Sequence, residues 1–238
     1  MSNVNKLSDE KWSSDIDQIY LENANEYEKK CYENRYFLAF EKAVKPLLVE
    51  DNQEYLTVLD AATGTGVGAA YIHEQIAKSL SYSDFSVIGV DLNEKAINYA
   101  KNTFGGICGL GFRCDDIVKA VNEPTANDCW DVIISMETLE HIPVETMKDF
   151  LKAISEKLAP GGKAIFSCPR LRPRESTKKR PGHINELYFQ QFSYTLGEYF
   201  PMVELYSFDR YGCIVPHYPD CNLQVGVVSK PPKTAIFV

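Results

Sequence analysis

The residues with the most chemistry to offer sit in one short run, Val58-Leu59-Asp60-Ala61-Ala62-Thr63-Gly64-Thr65-Gly66-Val67-Gly68-Ala69. Glycines at 64, 66 and 68 let a chain turn sharply after a strand and bring its backbone close to a ligand, because no Cβ closes off left-handed conformations or fills the space. With Ala69 the run also satisfies the G-x-G-x-x-G/A dinucleotide pattern. Asp60 argues for a different ligand. A carboxylate four residues ahead of the first glycine would face a pyrophosphate with like charge, whereas it suits an ammonium group, directly or through water.

A second acid, Asp91, ends the apolar run Val87-Ile88-Gly89-Val90 and is followed at once by the helical pattern that starts at Glu94. At the end of a second strand, such an acid can grip a ribose through its two hydroxyls. An aspartate before a helix can equally be an N-terminal cap. Further on, Ser135-Met136-Glu137-Thr138-Leu139-Glu140-His141 leaves a fourth apolar run and carries two groups that could move a proton, Glu137 and His141. His183 and Glu186 follow later, in the stretch between a fifth strand and the next helix, where acceptor lids commonly form. Each also has an ordinary explanation as a helix cap or a structural hydrogen-bonding group.

The elements that must position these residues alternate. Apolar, β-branched runs at Leu56–Asp60, Phe85–Asp91, Gly111–Asp115, Trp130–Ser135, Gly162–Cys168, Met202–Phe208 and Asn222–Ser229 are separated by helical periodicity at Ala69–Leu80, Glu94–Asn102, Val144–Leu158 and Leu187–Phe200. This is the pattern of βαβ units. It predicts a Rossmann-like, doubly wound α/β fold with a mostly parallel seven-stranded sheet, the last strand antiparallel, and helices on both faces. Pro160-Gly161-Gly162 reads as the break between a helix and the fifth strand. Ahead of the sheet, Ile16–Leu48 predicts a helical N-terminal cap, so residues 1–50 are read as cap and 51–238 as the catalytic domain.

Composition narrows the function classes. The 238 residues carry a formal net charge of -8, which disfavours non-specific attraction to nucleic acid. No apolar run is long enough to cross a bilayer and the first residues are polar, so a cytoplasmic protein is expected. Seven scattered cysteines without a C-x-x-C pair read as free thiols, and four isolated histidines show no zinc-ligand spacing, so no metal is implied. One stretch departs from the acidic average. Between Pro169 and Pro181, Arg170, Arg172, Arg174, Lys178, Lys179 and Arg180 face only Glu175, and the region 169–186 reads as a basic acceptor lid or a solvated loop.

Taken together, these motifs resemble the class I SAM-dependent methyltransferases, and the resemblance runs from about Arg35 to Val228. It implies S-adenosylmethionine (SAM) as cofactor, held by Asp60, Ala61, Ala62, Gly64, Gly66, Asp91, Leu92, Asp115, Asp116 and Ser135, with Arg35 or Tyr36 near its carboxylate. Cys114-Asp115-Asp116 matches the segment that faces the adenine amino group, Asp115 aligning best. Arg35-Tyr36, Met136 to Ile142, Ser167 to Arg170 and His183 to Glu186 are similar to the branch that methylates bacterial glycans and other small molecules. Cys31 and Tyr32 depart from that branch. The implied reaction moves a methyl group to an oxygen or nitrogen of a small, sugar-like or anionic acceptor, with Arg170, Arg172, Arg174 and Glu186 on the acceptor side and His141, Glu137 or His183 as catalytic groups. A SAM-binding scaffold without activity and an NAD-dependent oxidoreductase remain alternatives, and the oligomeric state is open.

Overall fold

The computed structural model describes residues 34–48, 55–79, 84–123, 128–171, 182–208, 213–216 and 223–232. Strands β1 (Leu56–Ala61), β2 (Phe85–Asp91), β3 (Leu110–Cys114), β4 (Trp130–Met136), β5 (Leu158–Pro169), β6 (Met202–Phe208), β7 (Ile214–Pro216) and β8 (Leu223–Ser229) form one sheet in the order β3-β2-β1-β4-β5-β8-β6-β7. The first five run parallel. β8 inserts between β5 and β6 and is antiparallel to both. The predicted antiparallel last strand is therefore present, but the sheet has eight strands rather than seven. The additional one is β7, three residues that pair from Phe208↔Ile214 to Tyr206↔Pro216.

Both faces are covered, as parallel sheets require. Along β1 and β4, side chains alternate between them: Val58, Val132 and Ile134 enter one buried cluster, while Leu59, Ala61 and Ile133 enter the other. Packed into the first cluster are α1 (helical over 34–48), α2 (Val67–Lys78) and α3 (Glu94–Phe104), through residues such as Val44, Ile72 and Ile97. The second takes α4 (Ile117–Asn122), α5 (Val144–Lys157) and α6 (Phe189–Tyr199), through Ala120, Phe150 and Phe192.

Two local features follow from single residues. α1 widens into a π turn at Phe40–Val44, closed by the Lys45 N–H donating to the Phe40 carbonyl. Pro46 follows directly, and a proline ring crowds the carbonyl four residues back, so the wider turn accommodates it. At the other site, Pro160-Gly161-Gly162 does not precede β5 but lies within it, since Trp130 already pairs with Leu158 before the register shifts to Val132↔Lys163. A Cβ on Gly162 would lie 2.8 Å from the Ala159 carbonyl oxygen and 2.9 Å from that of Asp131, so the bulge is closed to larger residues.

The predicted cap is described only from residue 34, and its earlier part, with Tyr20, Tyr27, Cys31 and Tyr32, lies outside the described residues, as do Arg172, Arg174, Lys178, Lys179 and Arg180 of the basic stretch. Among the described residues Cys108, Cys114, Cys129, Cys168 and Cys213 are free thiols. No helix of the described residues is long and apolar enough to cross a membrane.

Candidate active site

The sheet order reverses between β1 and β4, and ligands of open α/β sheets bind at the carboxyl ends of strands beside such a switch point. Asp60 lies there at the end of β1, 1% exposed, and its Oδ2 accepts a 2.6 Å hydrogen bond from Thr63 Oγ1. The turn that follows passes through left-handed backbone at Ala62 (φ 64), Gly64 (φ 56) and Gly66 (φ 80). Left-handed geometry costs an alanine more than a glycine, and Ala62 is held in it by neighbours. The Thr63 N–H donates to the Val90 carbonyl at 2.9 Å, and the Gly64 N–H donates to Asp91 Oδ2 at 2.9 Å. Asp91 also accepts from the Asn93 N–H at 2.8 Å, while Asn93, not Asp91, caps α3. The cap reading of Asp91 is therefore replaced by one in which it braces the glycine turn.

Glycine at 68 serves a different purpose. A Cβ there would sit inside the van der Waals envelope of the buried Tyr36 ring, so α1 rests directly on the first turn of α2. The neighbouring Arg35, 5% exposed, reaches across to Glu137 Oε2 at 3.2 Å. Glu137 lies just past β4, again in left-handed backbone (φ 53). Its N–H donates to the Ser167 carbonyl at 2.9 Å, and the Ser167 hydroxyl donates to Glu137 Oε1 at 2.8 Å. Because Asp60 pairs with Ile134, Glu137 stands close to the level of the glycine turn in the adjacent strand.

Behind Glu137 a cluster of ionisable groups gathers. His141 Nδ1 lies 3.1 Å from the Gly182 carbonyl oxygen and its Nε2 lies 3.7 Å from Glu140 Oε1. The rings of His141 and His183 meet edge to face at 4.8 Å, and His183 Nδ1 lies 2.6 Å from Glu186 Oε1. The Ile184 and Asn185 N–H groups both donate to the Glu140 carbonyl, which ties this loop to the end of β4. Burial first, and the neighbouring Glu137 second, push the Glu140 carboxyl well above the usual carboxylate range. Burial likewise lowers the His141 imidazole below its ordinary value, so its neutral form prevails at neutral pH.

The remaining predicted residues sit as follows. Leu92, just past β2, is 69% exposed. Asp115 pairs with Lys119 at 2.9 Å, and the hydrogen bond from that lysine holds the Asp115 carboxyl below its usual range. Asp116 caps α4 by accepting from the Lys119 N–H. Ser135 is fully buried in β4. Arg170 pairs with Leu187 across a β-bridge and lies 5.6 Å from the Phe189 ring centre. Sequence reasoning assigns no role to Thr63, Glu140 or Ser167. Thr63 and Ser167 carry no signal beyond their type, whereas Glu140 stood next to His141 and could have been weighed with it.

Residues 58–162 match a protein family described as a methyltransferase domain. That match covers less than half of the chain, which over those residues is similar to this family. The chain has the Rossmann-like fold of the class I methyltransferases, with Asp60, Asp91 and Asp115 at or just past the carboxyl ends of β1, β2 and β3. A ubiquinone biosynthesis O-methyltransferase of Paramagnetospirillum magneticum is 29% identical over 109 residues, covering 46% of this chain and 39% of that protein. The chain thus spans about two fifths of that relative's length. Among solved structures, a S-adenosylmethionine-dependent methyltransferase from Clostridium acetobutylicum is similar over 91% of this chain and 98% of its own, with a TM-score of 0.61 at 17% identity. The N-methyltransferase NodS from Bradyrhizobium japonicum in complex with S-adenosyl-L-homocysteine is similar over 88% of this chain and 90% of its own, with a TM-score of 0.55 at 17% identity. At these identities the structural likeness speaks for the fold of the methyltransferase domain. The curated relative named above is a ubiquinone-biosynthesis protein, so the glycan branch of the sequence resemblance gains no support from it.

Proposed function

We propose that this chain transfers the methyl group of SAM to a hydroxyl oxygen of a small acceptor, and that residues 51–238 form the catalytic unit capped by the preceding helix. The observation that carries this reading is the proximity, in adjacent strands, of two different sites: the Asp60–Asp91 turn at β1 and β2, and the Glu137–Glu140–His141–His183 cluster at β4 and beyond. Support for oxygen as the methylated atom comes from the O-methyltransferase name of the curated relative.

The residues present fit SAM. Asp60 would face its ammonium group, Asp91 the ribose hydroxyls and Asp115 or Asp116 the adenine edge, with Ala61, Ala62, Gly64, Gly66, Leu92 and Ser135 shaping the cradle. Bound SAM supplies a methyl group already activated by the sulfonium charge, so the protein's share is alignment and exclusion of water. Arg35 and Tyr36 contribute by holding α1 over the turn. The acceptor oxygen takes the methyl group as its proton leaves toward the cluster, where Glu137, His141 and His183 are the groups able to receive it. We assign Arg170, Arg172, Arg174 and Glu186 to acceptor binding, since the arginines suit an anionic or sugar-phosphate acceptor.

The test is release of S-adenosylhomocysteine (SAH) on incubation with SAM and panels of phenolic and sugar hydroxyl acceptors, with the product's methylated atom read by NMR. Methyl ethers are expected. Methylamines alone would overturn the oxygen assignment, and SAH binding without turnover on any acceptor would favour the scaffold reading.

A further inference from the structure

We propose that Glu140, His141 and His183 bind a divalent transition-metal cation, and that this ion takes the acceptor's hydroxyl oxygen as a further ligand; the second clause rests on the O-methyltransferase reading above. Each of the three residues can direct one ligand atom into a common space, and those atoms all lie within 4.8 Å of one another. Ligands held about 2.0–2.2 Å from an ion stand roughly 3–4 Å apart, so the site would contract by about an ångström on binding. Two imidazoles and one carboxylate form a donor set that suits zinc, cobalt, manganese or iron rather than magnesium or calcium.

Two observations independent of the clustering point to an ion. The first is Glu140 itself. It is 1% exposed, and neither carboxylate oxygen accepts a hydrogen bond among the described residues. Buried polar groups are normally satisfied, and one that is not calls for an explanation such as an ion. The second is the way the histidines are held. His141 Nδ1 is engaged by the Gly182 carbonyl oxygen, and His183 Nδ1 by the Glu186 carboxylate at 2.6 Å. An outer acceptor on one ring nitrogen fixes the tautomer and turns the other nitrogen toward a metal, and a carboxylate–histidine pair is a recurring arrangement of this kind. Glu137, held by Arg35 and Ser167, stands nearby with a side chain 28% exposed and adds negative charge on the side open to the acceptor.

The sequence pattern could not show this site, because its ligands come from an adjacent Glu-His pair after β4 and a histidine some forty residues later, not from a C-x-x-C or H-x-x-x-H spacing. Its chemical consequence is specific. A cation bound to a hydroxyl oxygen lowers the pKa of that hydroxyl; with both histidines on the ion the proton passes to Glu137, the oxygen's electron pair forms the bond to the methyl carbon, and the carbon–sulfur bond of SAM breaks with its electron pair left on the sulfur of SAH.

The experiment uses the full chain stripped with EDTA and dialysed, titrated with Mn²⁺ by calorimetry and with Co²⁺ by visible absorption, in the absence of SAM and acceptor. One ion per chain is expected. Glu140→Gln and His183→Ala should each weaken it by about 100-fold or more, since even outer partners of a ligand change metal affinity by about 10–100-fold. SAH affinity, read in parallel, should persist in both variants and shows that they fold; His183→Ala, on a surface loop, serves if Glu140→Gln does not. Absence of a 1:1 site, or affinity unchanged in both variants, would overturn the metal site. Methyl transfer undiminished by EDTA would overturn the acceptor's place in the coordination shell. Metal binding intact with no hydroxyl acceptor methylated would instead overturn the O-methyltransferase reading and leave the ion site standing.

Discussion

At the scale of single residues, Asp60 and Asp91 divide the task of shaping the glycine turn after β1. Asp60 holds Thr63 from within, and Asp91 holds Gly64 from the neighbouring strand. Replacing either by Asn keeps size and one acceptor but removes the charge, and a charge-assisted hydrogen bond to a ligand contributes about 1.5–3 kcal/mol. Asp60→Asn and Asp91→Asn should therefore each weaken SAH binding by about ten- to a hundredfold in calorimetry. Unchanged affinity in both, with melting temperatures intact, would remove them from the cofactor site. Another acid, Asp131, tests structure alone. Its Oδ2 accepts from both the N–H and the hydroxyl of Thr57 at 2.8 Å, while its own N–H donates to Thr57 Oγ1 at 3.1 Å, all in the buried interior between β1 and β4. Asp131→Ala leaves a buried N–H without an acceptor, a cost of about 1–3 kcal/mol. Chemical denaturation should show that loss, and SAH affinity of the folded fraction should be unmoved.

At the scale of elements, the parallel core was legible in the sequence and its margins were not. β2 matches its apolar run residue for residue, because a parallel strand covered on both faces demands a continuous apolar, β-branched stretch. β7 has three residues and α4 six, too few for either periodicity to register. The same limit applied to the site: Asp60 and Asp91 were readable because glycines and strand ends mark their places, whereas the Glu140–His183 approach depends on how the loop after β5 folds back onto β4. The contact of α1 with α2 was also invisible, since Gly68 reads simply as part of a glycine turn. Its role yields a prediction. Alanine is the better helix former by about 1 kcal/mol, yet Gly68→Ala drives a methyl group into the Tyr36 ring, and overpacking of this kind costs about 1–3 kcal/mol. Gly68→Ala should lower stability in the wild-type background and raise it, or leave it level, with Tyr36→Ala already present. A double-mutant cycle on denaturation free energies measures this, and simple additivity would show that α1 does not rest there in solution.

At the scale of the whole molecule, charge is unevenly distributed. The chain carries -8 overall, and Glu137 and Glu186 both act on the buried Glu140 beyond β4. The basic stretch that leaves the carboxyl end of β5 opposes this field, beginning at Arg170, whose guanidinium lies near Phe189 and whose backbone bridges to Leu187 at the entrance to α6. A run of six basic residues following β5 in an otherwise acidic chain would draw anions toward that stretch. Four of its six cations are arginines, whose planar fork matches phosphate or carboxylate. With an acceptor in hand, replacing Arg170, Arg172 and Arg174 together by Gln should raise KM, leaving SAH affinity and kcat near wild type, because these arginines would capture the acceptor without adding to the stabilisation of the transition state. The wild-type KM should rise with ionic strength between low salt and about 0.15 M, where screening sets in over about 8–10 Å, and the triple variant should lose most of that dependence. A KM indifferent to both salt and substitution would make the stretch a solvated loop and point to a neutral acceptor, recognised by the cluster beside β4 alone.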